Sequence, residues 1–165
     1  MSNIIDAQIK AQALKLGMPE TIANLIVGQA RYETNDYKSN VFKTLNNAFG
    51  YKFVGQTKWP IGAGTGAPSK DAQGNADGGT YAKYKNVADS TGEIVDWLKR
   101  RQKDGVLNLN TIQTPAQYAT ALKKAGYYGQ TADSYAKGIT AKLQNVAIIA
   151  GSGLTVLLLV AGFFF

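Results

Sequence analysis

The chain has 165 residues, no cysteine and no histidine, and its 18 Lys and Arg against 11 Asp and Glu give a net charge of +7. The length favours a single domain, and the composition excludes disulfides, thiolate or imidazole metal ligands and histidine-based catalysis. Any catalysis must therefore use carboxylates, hydroxyls, lysines or backbone groups. The positive charge suits an anionic partner. Nucleic acid is not expected, because the lysines are scattered and the arginines are confined to Arg31, Arg100 and Arg101.

Two helices are predicted at the start of the chain. Apolar residues at helical spacing predict the first helix over residues 3–16, and Gly17 ends it. Pro19 then stands in the first turn of a second helix, where proline is well tolerated. The apolar pattern carries this second helix to residue 32 or 33.

Glu33 lies at the end of the apolar face of the second helix, seven residues after Ile26 and three after Ala30. Burial there would disfavour the charged carboxylate and raise its pKa, as a general acid requires. The same position also suits a glutamate that turns to solvent at a frayed helix end. The periodicity leaves both interpretations open.

An irregular region follows. The sequence NNAFG at residues 46–50 predicts a tight turn with side-chain hydrogen bonds. Residues 55–79 are rich in glycine, which is typical of a functional loop, a small β-region or disorder. The acids of this segment are Asp71 and Asp77, and residues 81–85 then alternate as a short strand does.

Three further helices are predicted. One covers residues 89–101, with Asp89 or Ser90 as its cap and Trp97 facing the core. Thr114 and Pro115 begin the next helix, which Gly126 stops, and the last begins near residue 131. Five or six helices with a small β or loop lobe indicate an α+β fold that is mostly α.

The C-terminal segment predicts a membrane anchor. No charged residue follows Lys142, and residues 146–165 would span about 30 Å as a helix, the thickness of a bilayer core. We therefore expect a domain over residues 1–142 and one C-terminal transmembrane helix over residues 143–165. Lys137 and Lys142 precede this segment and no basic residue follows it, which predicts a domain that starts on the cytoplasmic face.

Two further expectations concern the ends of the chain. Charged residues from Asp6 to Glu20 interrupt the N-terminal region, so no cleaved leader is expected. Ala147, Gly151 and Thr155 have the small-residue spacing that lets two membrane helices approach, although such residues are also common in single spans.

Four segments together resemble one enzyme family. The sequence GQARYET at residues 28–34 resembles the helix end that carries the catalytic glutamate in the glucosaminidase group of peptidoglycan hydrolases, glycoside hydrolase family 73, within the lysozyme-like fold. NNAFG at residues 46–50 matches another motif of this family. Residues 81–98 match a third motif loosely, and residues 118–136, with YATALKKAGY and TADSYA, match its ending closely.

The resemblance implies a lysozyme-like domain that cleaves β-1,4 bonds between N-acetylglucosamine and N-acetylmuramic acid in bacterial cell walls. It implies that Glu33 protonates the glycosidic oxygen, with no metal and no cofactor required. Tyr118 is expected to pack in the core. The residues that would form the floor and the walls of the cleft, and so bind the glycan, are Asn47, Phe49, Gly50, Tyr127 and Tyr135.

The second carboxylate of the reaction is less defined. In the family it lies in a variable lobe, which here corresponds to residues 55–79, and we favour Asp77 over Asp71. Two alternatives use Glu33 alone, either by the lytic-transglycosylase route or with help from the acetamido group of the substrate.

The expected orientation raises a question of context, because peptidoglycan lies outside the cytoplasm. A lytic enzyme in the internal membrane of a bacteriophage, used for entry or lysis, would reconcile the expected orientation with a substrate outside the cytoplasm. A bacterial enzyme with its domain outside the cytoplasmic membrane, or an inactive structural or glycan-binding protein of a virion, are the alternatives. The expected partners are peptidoglycan strands and a lipid bilayer, with other virion proteins or a second copy of the membrane helix as further candidates.

Overall fold

The computed structural model describes residues 2–65, 69–70, 76–77 and 79–150, and side chains within residues 2–65 and 79–144. The described residues form a mostly helical α+β fold, as the sequence predicts. The helices are α1 (Ser2–Lys15), α2 (Glu20–Glu33), α3 (Asn40–Leu45), α4 (Val87–Lys103), α5 (Pro115–Lys124) and α6 (Ala132–Ala150), with a 3₁₀ turn at Leu109–Thr111. The strands are β1 (Gly62–Thr65), β2 (Ser69–Lys70), β3 (Ala76–Asp77) and β4 (Thr80–Lys83).

The β-region consists of two small antiparallel ladders. β1 pairs with β4, from Gly62 opposite Lys83 to Thr65 opposite Thr80. β2 pairs with β3, so that Ser69 lies opposite Asp77. The glycine-rich segment therefore contains a small β-region, one of the three outcomes that its composition allows.

Helix α2 organises the core. It packs against α1 on one side and α6 on another, while α1 also packs against α4 and α5 against α6. This central position explains why its apolar residues are almost completely buried, among them Ile22, Ala23, Ile26 and Ala30.

A glycine allows α6 to lie close to α2. A Cβ atom at Gly28 would come within 2.8 Å of Leu143 Cγ and 2.9 Å of Ile139 Cγ2, so any larger residue would displace these side chains. Leu143 packs against the core, and α6 continues through the predicted domain boundary at residues 142–143. The close approach fixes the register between α2 and α6.

The helix ends are partly as predicted. Thr114 caps α5 in a capping box with Gln117, and Pro115 stands in its first turn. The predicted cap of α4 at Asp89 or Ser90 is wrong, because the Asn86 side chain accepts a hydrogen bond from the Asp89 amide and starts the helix earlier. Ser90 instead accepts a hydrogen bond from the Ala48 amide. The short helix α3 was not predicted.

The predicted membrane anchor lies mostly outside the described residues, which end at residue 150. Within the described part of the chain, no helix has both the length and the apolar character needed to cross a bilayer.

Candidate active site

Glu33 ends helix α2 and is partly buried, as the first interpretation of its position expects. The Tyr135 hydroxyl donates a hydrogen bond of 2.5 Å to Glu33 Oε1. Burial raises the pKa of the Glu33 carboxyl, and the hydrogen bond from Tyr135 opposes this by stabilising the charged form. The balance leaves a carboxyl that holds its proton to higher pH than an exposed glutamate does.

Tyr135 is held by two other tyrosines and is only 1% exposed. Its ring stacks on Tyr128 with centroids 3.9 Å apart, and it meets the edge of Tyr32 at 5.2 Å. Tyr32 fits beside α6 because residue 138 is a glycine, where a Cβ atom would lie 2.2 Å from Tyr32 Cε2. The position of the Tyr135 hydroxyl is therefore fixed by packing and not only by its bond to Glu33.

Gln29 lies one helical turn before Glu33 on α2. It is fully buried, and its Oε1 accepts a hydrogen bond of 2.7 Å from the Tyr118 hydroxyl. Tyr118 is itself fully buried, which agrees with its predicted place in the core. The charge of Glu33 raises the pKa of both Tyr118 and Tyr135 after the larger effect of burial, so these groups share one environment.

The NNAFG turn depends on Asn47, which is 1% exposed. Its Nδ2 donates to the carbonyls of Tyr51 (2.8 Å) and Ala82 (2.9 Å), and its Oδ1 accepts from the amides of Phe49 and Tyr51. Because these bonds use both polar atoms, Asn47 shapes the turn through the backbone. Gly50 has a φ of 66°, a left-handed conformation that favours glycine.

An aromatic group joins this turn to the rest of the site. The Tyr127 hydroxyl donates a hydrogen bond of 2.7 Å to the Phe49 carbonyl. The Tyr127 ring meets the edges of Tyr51 at 6.0 Å and Trp97 at 5.2 Å. Trp97 is only partly buried, so it belongs to this aromatic group as well as to the core.

The structure thus brings Glu33, Tyr127, Tyr135 and the NNAFG turn together. The charge of Glu33 contributes to the raised pKa of Tyr127, although burial is the main cause. The glycan-binding roles of Asn47, Phe49, Gly50, Tyr127 and Tyr135 stay predictions. Phe49 is buried, with 3% exposure, so its side chain offers little surface for binding.

The two acids of the variable lobe are placed less completely. Asp77 lies on β3 opposite Ser69, and its side chain is outside the described part. Asp71 lies outside the described residues.

The segment before β1 is attached to α4 through Trp59. Its Nε1 donates a 2.7 Å hydrogen bond to Asp96 Oδ2, and its ring occupies the space above Gly92.

A second buried carboxyl was missed in the sequence. Glu93 on α4 is 6% exposed, and burial raises its pKa, with Arg100 at 3.8 Å as an opposing influence. Its charge adds to the raised pKa of Tyr51 and Tyr84, whose hydroxyls are buried without a hydrogen-bond partner among the described residues. The sequence does carry a signal for its burial. Glu93 stands directly before Ile94 and four residues before Trp97, so it lies beside the apolar face of the helix. No three acidic side chains in the described part lie close enough to hold a metal ion.

The raised pKa of Glu33 has a consequence for stability. The Glu33 carboxyl has a higher pKa in the folded chain than in the unfolded chain. At pH values between these two pKa values, the folded chain keeps a proton that the unfolded chain has released. The free energy of unfolding therefore falls as pH rises through this window. Glutamine at this position carries no charge to desolvate and still accepts the Tyr135 hydrogen bond. We expect Glu33→Gln to have a higher Tm than the wild type at neutral pH and an equal Tm below about pH 4. Thermal unfolding followed by circular dichroism measures both, and a Tm difference that did not change with pH would contradict the expectation.

Comparison with known proteins identifies the family. The family model for glucosaminidases, described as mannosyl-glycoprotein endo-beta-N-acetylglucosaminidase, matches residues 8–147. No curated protein sequence matches the chain.

Solved structures share the fold at low sequence identity. A peptidoglycan hydrolase from Sphingomonas sp. A1 has a TM-score of 0.67 and 18% identity over 95% of this chain and 99% of that chain. The catalytic domain of the autolysin Auto from Listeria monocytogenes has a TM-score of 0.61 and 17% identity over 90% of this chain and 84% of that chain. The glycoside hydrolase domain of FlgJ from Salmonella typhimurium has a TM-score of 0.59 and 22% identity over 91% of each chain. With the family model matching most of its length, the chain belongs to the glucosaminidase family and is a glycosidase.

Proposed function

We propose that the chain is a peptidoglycan hydrolase that cleaves β-1,4 bonds between N-acetylglucosamine and N-acetylmuramic acid, with Glu33 as the general acid. The observation that carries the proposal is the Glu33 carboxyl, whose pKa burial raises, beside the Tyr135 hydroxyl. Family membership supports the reaction class. The proteins from Sphingomonas and Listeria named above, a peptidoglycan hydrolase and an autolysin, support the substrate.

Glu33 would act by giving its proton to the glycosidic oxygen while positive charge develops on the sugar ring. The raised pKa keeps the proton available at a higher pH than an exposed glutamate would allow. Tyr135 donates to Oε1, which leaves Oε2 to carry the proton towards the substrate. Once the proton has left, the same hydroxyl stabilises the carboxylate.

The aromatic group would supply the sugar-binding surface. Rings of Tyr127 and Trp97 offer flat apolar faces on which sugar rings pack. Gly50, which is exposed and has open space where a side chain would be, allows a glycan strand to approach the backbone of the turn. Asn47 and Phe49 hold that turn in place.

Glu33→Gln is expected to abolish clearing of purified peptidoglycan, with a rate loss of about 10²–10⁴-fold from removal of a general acid. The substitution keeps the shape and hydrogen-bond acceptor of the side chain, and a zymogram of the full chain measures the result. Glu20→Gln is the matched control, because Glu20 lies in the first turn of the same helix with its side chain 70% exposed. Clearing by Glu33→Gln at the control rate would show that the acid is elsewhere.

We propose Asp77 as the second carboxylate, on the basis of its place in the variable lobe. Asp77→Asn is expected to reduce clearing at least tenfold, since a two-carboxylate mechanism loses its base or nucleophile. Mass spectrometry of the released fragments separates the alternatives. If the wild-type enzyme releases fragments with reducing ends and Asp77→Asn loses activity, the result supports a mechanism with two carboxylates. Unchanged activity would contradict the role of Asp77, with anhydro ends then indicating transglycosylation and reducing ends indicating use of the substrate acetamido group.

We also propose that residues 143–165 anchor the enzyme in a bilayer, either the internal membrane of a bacteriophage or the cytoplasmic membrane of a bacterium, for use in entry or lysis. The support is in the sequence, where no charge follows Lys142 and the last residues are almost all apolar or small. Peptidoglycan strands and lipid are then the partners. Ala147, Gly151 and Thr155 would allow two anchors to associate.

The anchor is tested by extraction of membranes at alkaline pH. The full chain is expected to stay with the membrane fraction, and a Leu158→Arg, Leu159→Arg variant is expected to be released, because each arginine costs about 2.5–3.5 kcal/mol near the centre of a membrane helix. A Leu158→Ile, Leu159→Ile variant is the control and should remain bound. Release of the wild type at the same step as the arginine variant would refute the anchor.

A further inference from the structure

The segment that follows Glu33 has an unusual backbone. Three consecutive residues other than glycine, Asn35, Asp36 and Tyr37, have φ values of 49°, 56° and 64°. Side chains disfavour this left-handed region, so such a run persists only where its surroundings hold it in place. The residues that hold it here are identifiable.

A buried ion pair lies at the centre of these surroundings. Arg31, which is 3% exposed, donates from Nε to Asp6 Oδ1 at 2.9 Å and from Nη2 to Asp6 Oδ2 at 2.5 Å. Asp6 belongs to α1 and Arg31 to the last turn of α2, two residues before Glu33. The two-point contact fixes the direction of the guanidinium as well as its distance.

The same ion pair holds the left-handed segment. The Tyr37 hydroxyl donates a hydrogen bond of 2.6 Å to Asp6 Oδ1. Arg31 Nη1 donates to Asp36 Oδ1 at 3.3 Å, and Lys142 Nζ donates to Asp36 Oδ2 at 2.6 Å. Side chains from α1, α2 and α6 therefore meet on residues 36 and 37.

The backbone of the segment also turns back on α2. The Asp36 amide donates to the Arg31 carbonyl at 2.8 Å. The Thr34 hydroxyl donates to the Ala30 carbonyl at 2.6 Å and accepts from the Tyr37 amide at 2.9 Å. Glu33 lies inside this set of bonds, so its backbone moves with residues 31 and 36.

We propose that Asp6, Arg31, Asp36 and Tyr37 form a positioning network that holds Glu33 in the geometry needed for proton transfer. The inference rests on the proposed role of Glu33 as the general acid. Asp6 precedes residues 8–147, the part that the family model matches. None of the four side chains needs to touch the substrate, because they act through the backbone on either side of Glu33.

A stabilising role alone explains these residues less well. A buried ion pair is weak evidence for stability, because the cost of desolvating both charges offsets their attraction. Helices α1 and α2 are also joined by an exposed ion pair, Lys10 Nζ to Glu20 Oε1 at 2.7 Å. Among the described residues, two ion pairs thus join α1 and α2, and the buried one lies beside Glu33.

The test compares Asp6→Asn with Glu20→Gln in the full chain, at a temperature where both are folded. Initial rates at graded concentrations of purified peptidoglycan give kcat and an apparent KM. Asp6→Asn is expected to lower kcat by about ten- to a hundredfold with little change in KM, since small misplacements of a catalytic group have effects of this size. Glu20→Gln is expected to leave both unchanged. Tyr37→Phe removes one hydrogen bond to Asp6, keeps the ring, and should give a smaller loss of kcat.

The pH dependence of the rate is a measurement that a change in stability alone would not shift. The rate should fall at high pH as Glu33 loses its proton. Loosening of the network admits water, weakens the desolvation of the carboxyl and shifts this limb to lower pH in Asp6→Asn. The groups that face Glu33 in the described part are the hydroxyls of Tyr118, Tyr127 and Tyr135, which stay neutral because burial raises their pKa.

The outcomes separate this inference from the proposed function. Activity in Glu33→Gln would refute the role of Glu33 itself. The network alone would be refuted if Glu33→Gln is inactive while Asp6→Asn and Tyr37→Phe keep the wild-type kcat and the wild-type fall in rate at high pH. If Asp6→Asn does not fold, Tyr37→Phe decides, and a loss of activity that disappears on cooling would show a role in stability only and overturn the inference.

Discussion

The hydrogen bond between the Tyr135 hydroxyl and the Glu33 carboxyl is the contact on which the site depends. It joins residues 102 positions apart in the chain, so it forms only when α2 and α6 are packed in one register. Gly28 gives α6 room to approach α2, and Gly138 gives Tyr32 room beside α6. Two residues without side chains thus set the distance between the acid and the hydroxyl that orients it.

This contact places two opposing influences on one carboxyl. Burial against the tyrosine rings favours the protonated form, while the Tyr135 hydroxyl favours the charged form. The role of general acid that we propose for Glu33 needs both influences, because such a group must hold a proton before bond cleavage and leave a stable carboxylate afterwards. The cost of this arrangement appears in folding stability, which the uncharged form of Glu33 would favour at neutral pH.

The sequence predicts what depends on local pattern. The apolar stripe of α2 predicts where Glu33 lies, and Thr114 followed by Pro115 predicts the start of α5, because both signals lie within one or two helical turns. Contacts between distant segments leave no such signal. The pairing of Asp6 with Arg31, and the space that Gly138 makes for Tyr32, depend on how helices pack. Asn86 was missed as the cap of α4 because Asp89 and Ser90 are equally good capping residues. The hydrogen bond between Ser90 and the Ala48 amide of the NNAFG turn joins distant segments, so the sequence gives no sign of it.

Helix α6 contacts Glu33 and the segment that follows it at two points, and the helical repeat explains why both contacts lie on one face. Tyr135 and Lys142 are seven residues apart, about two turns or 10 Å along one face. The first binds the carboxyl of Glu33, and the second binds Asp36 in the left-handed segment beyond it. A shift of α6 along its axis would change both contacts together, so the acid and the segment that follows it respond to the position of one helix. Because Leu143 and Ile139 of that helix pack at Gly28, such a shift would also have to repack the core. The rigidity of the core therefore fixes α6, and with it both of these contacts.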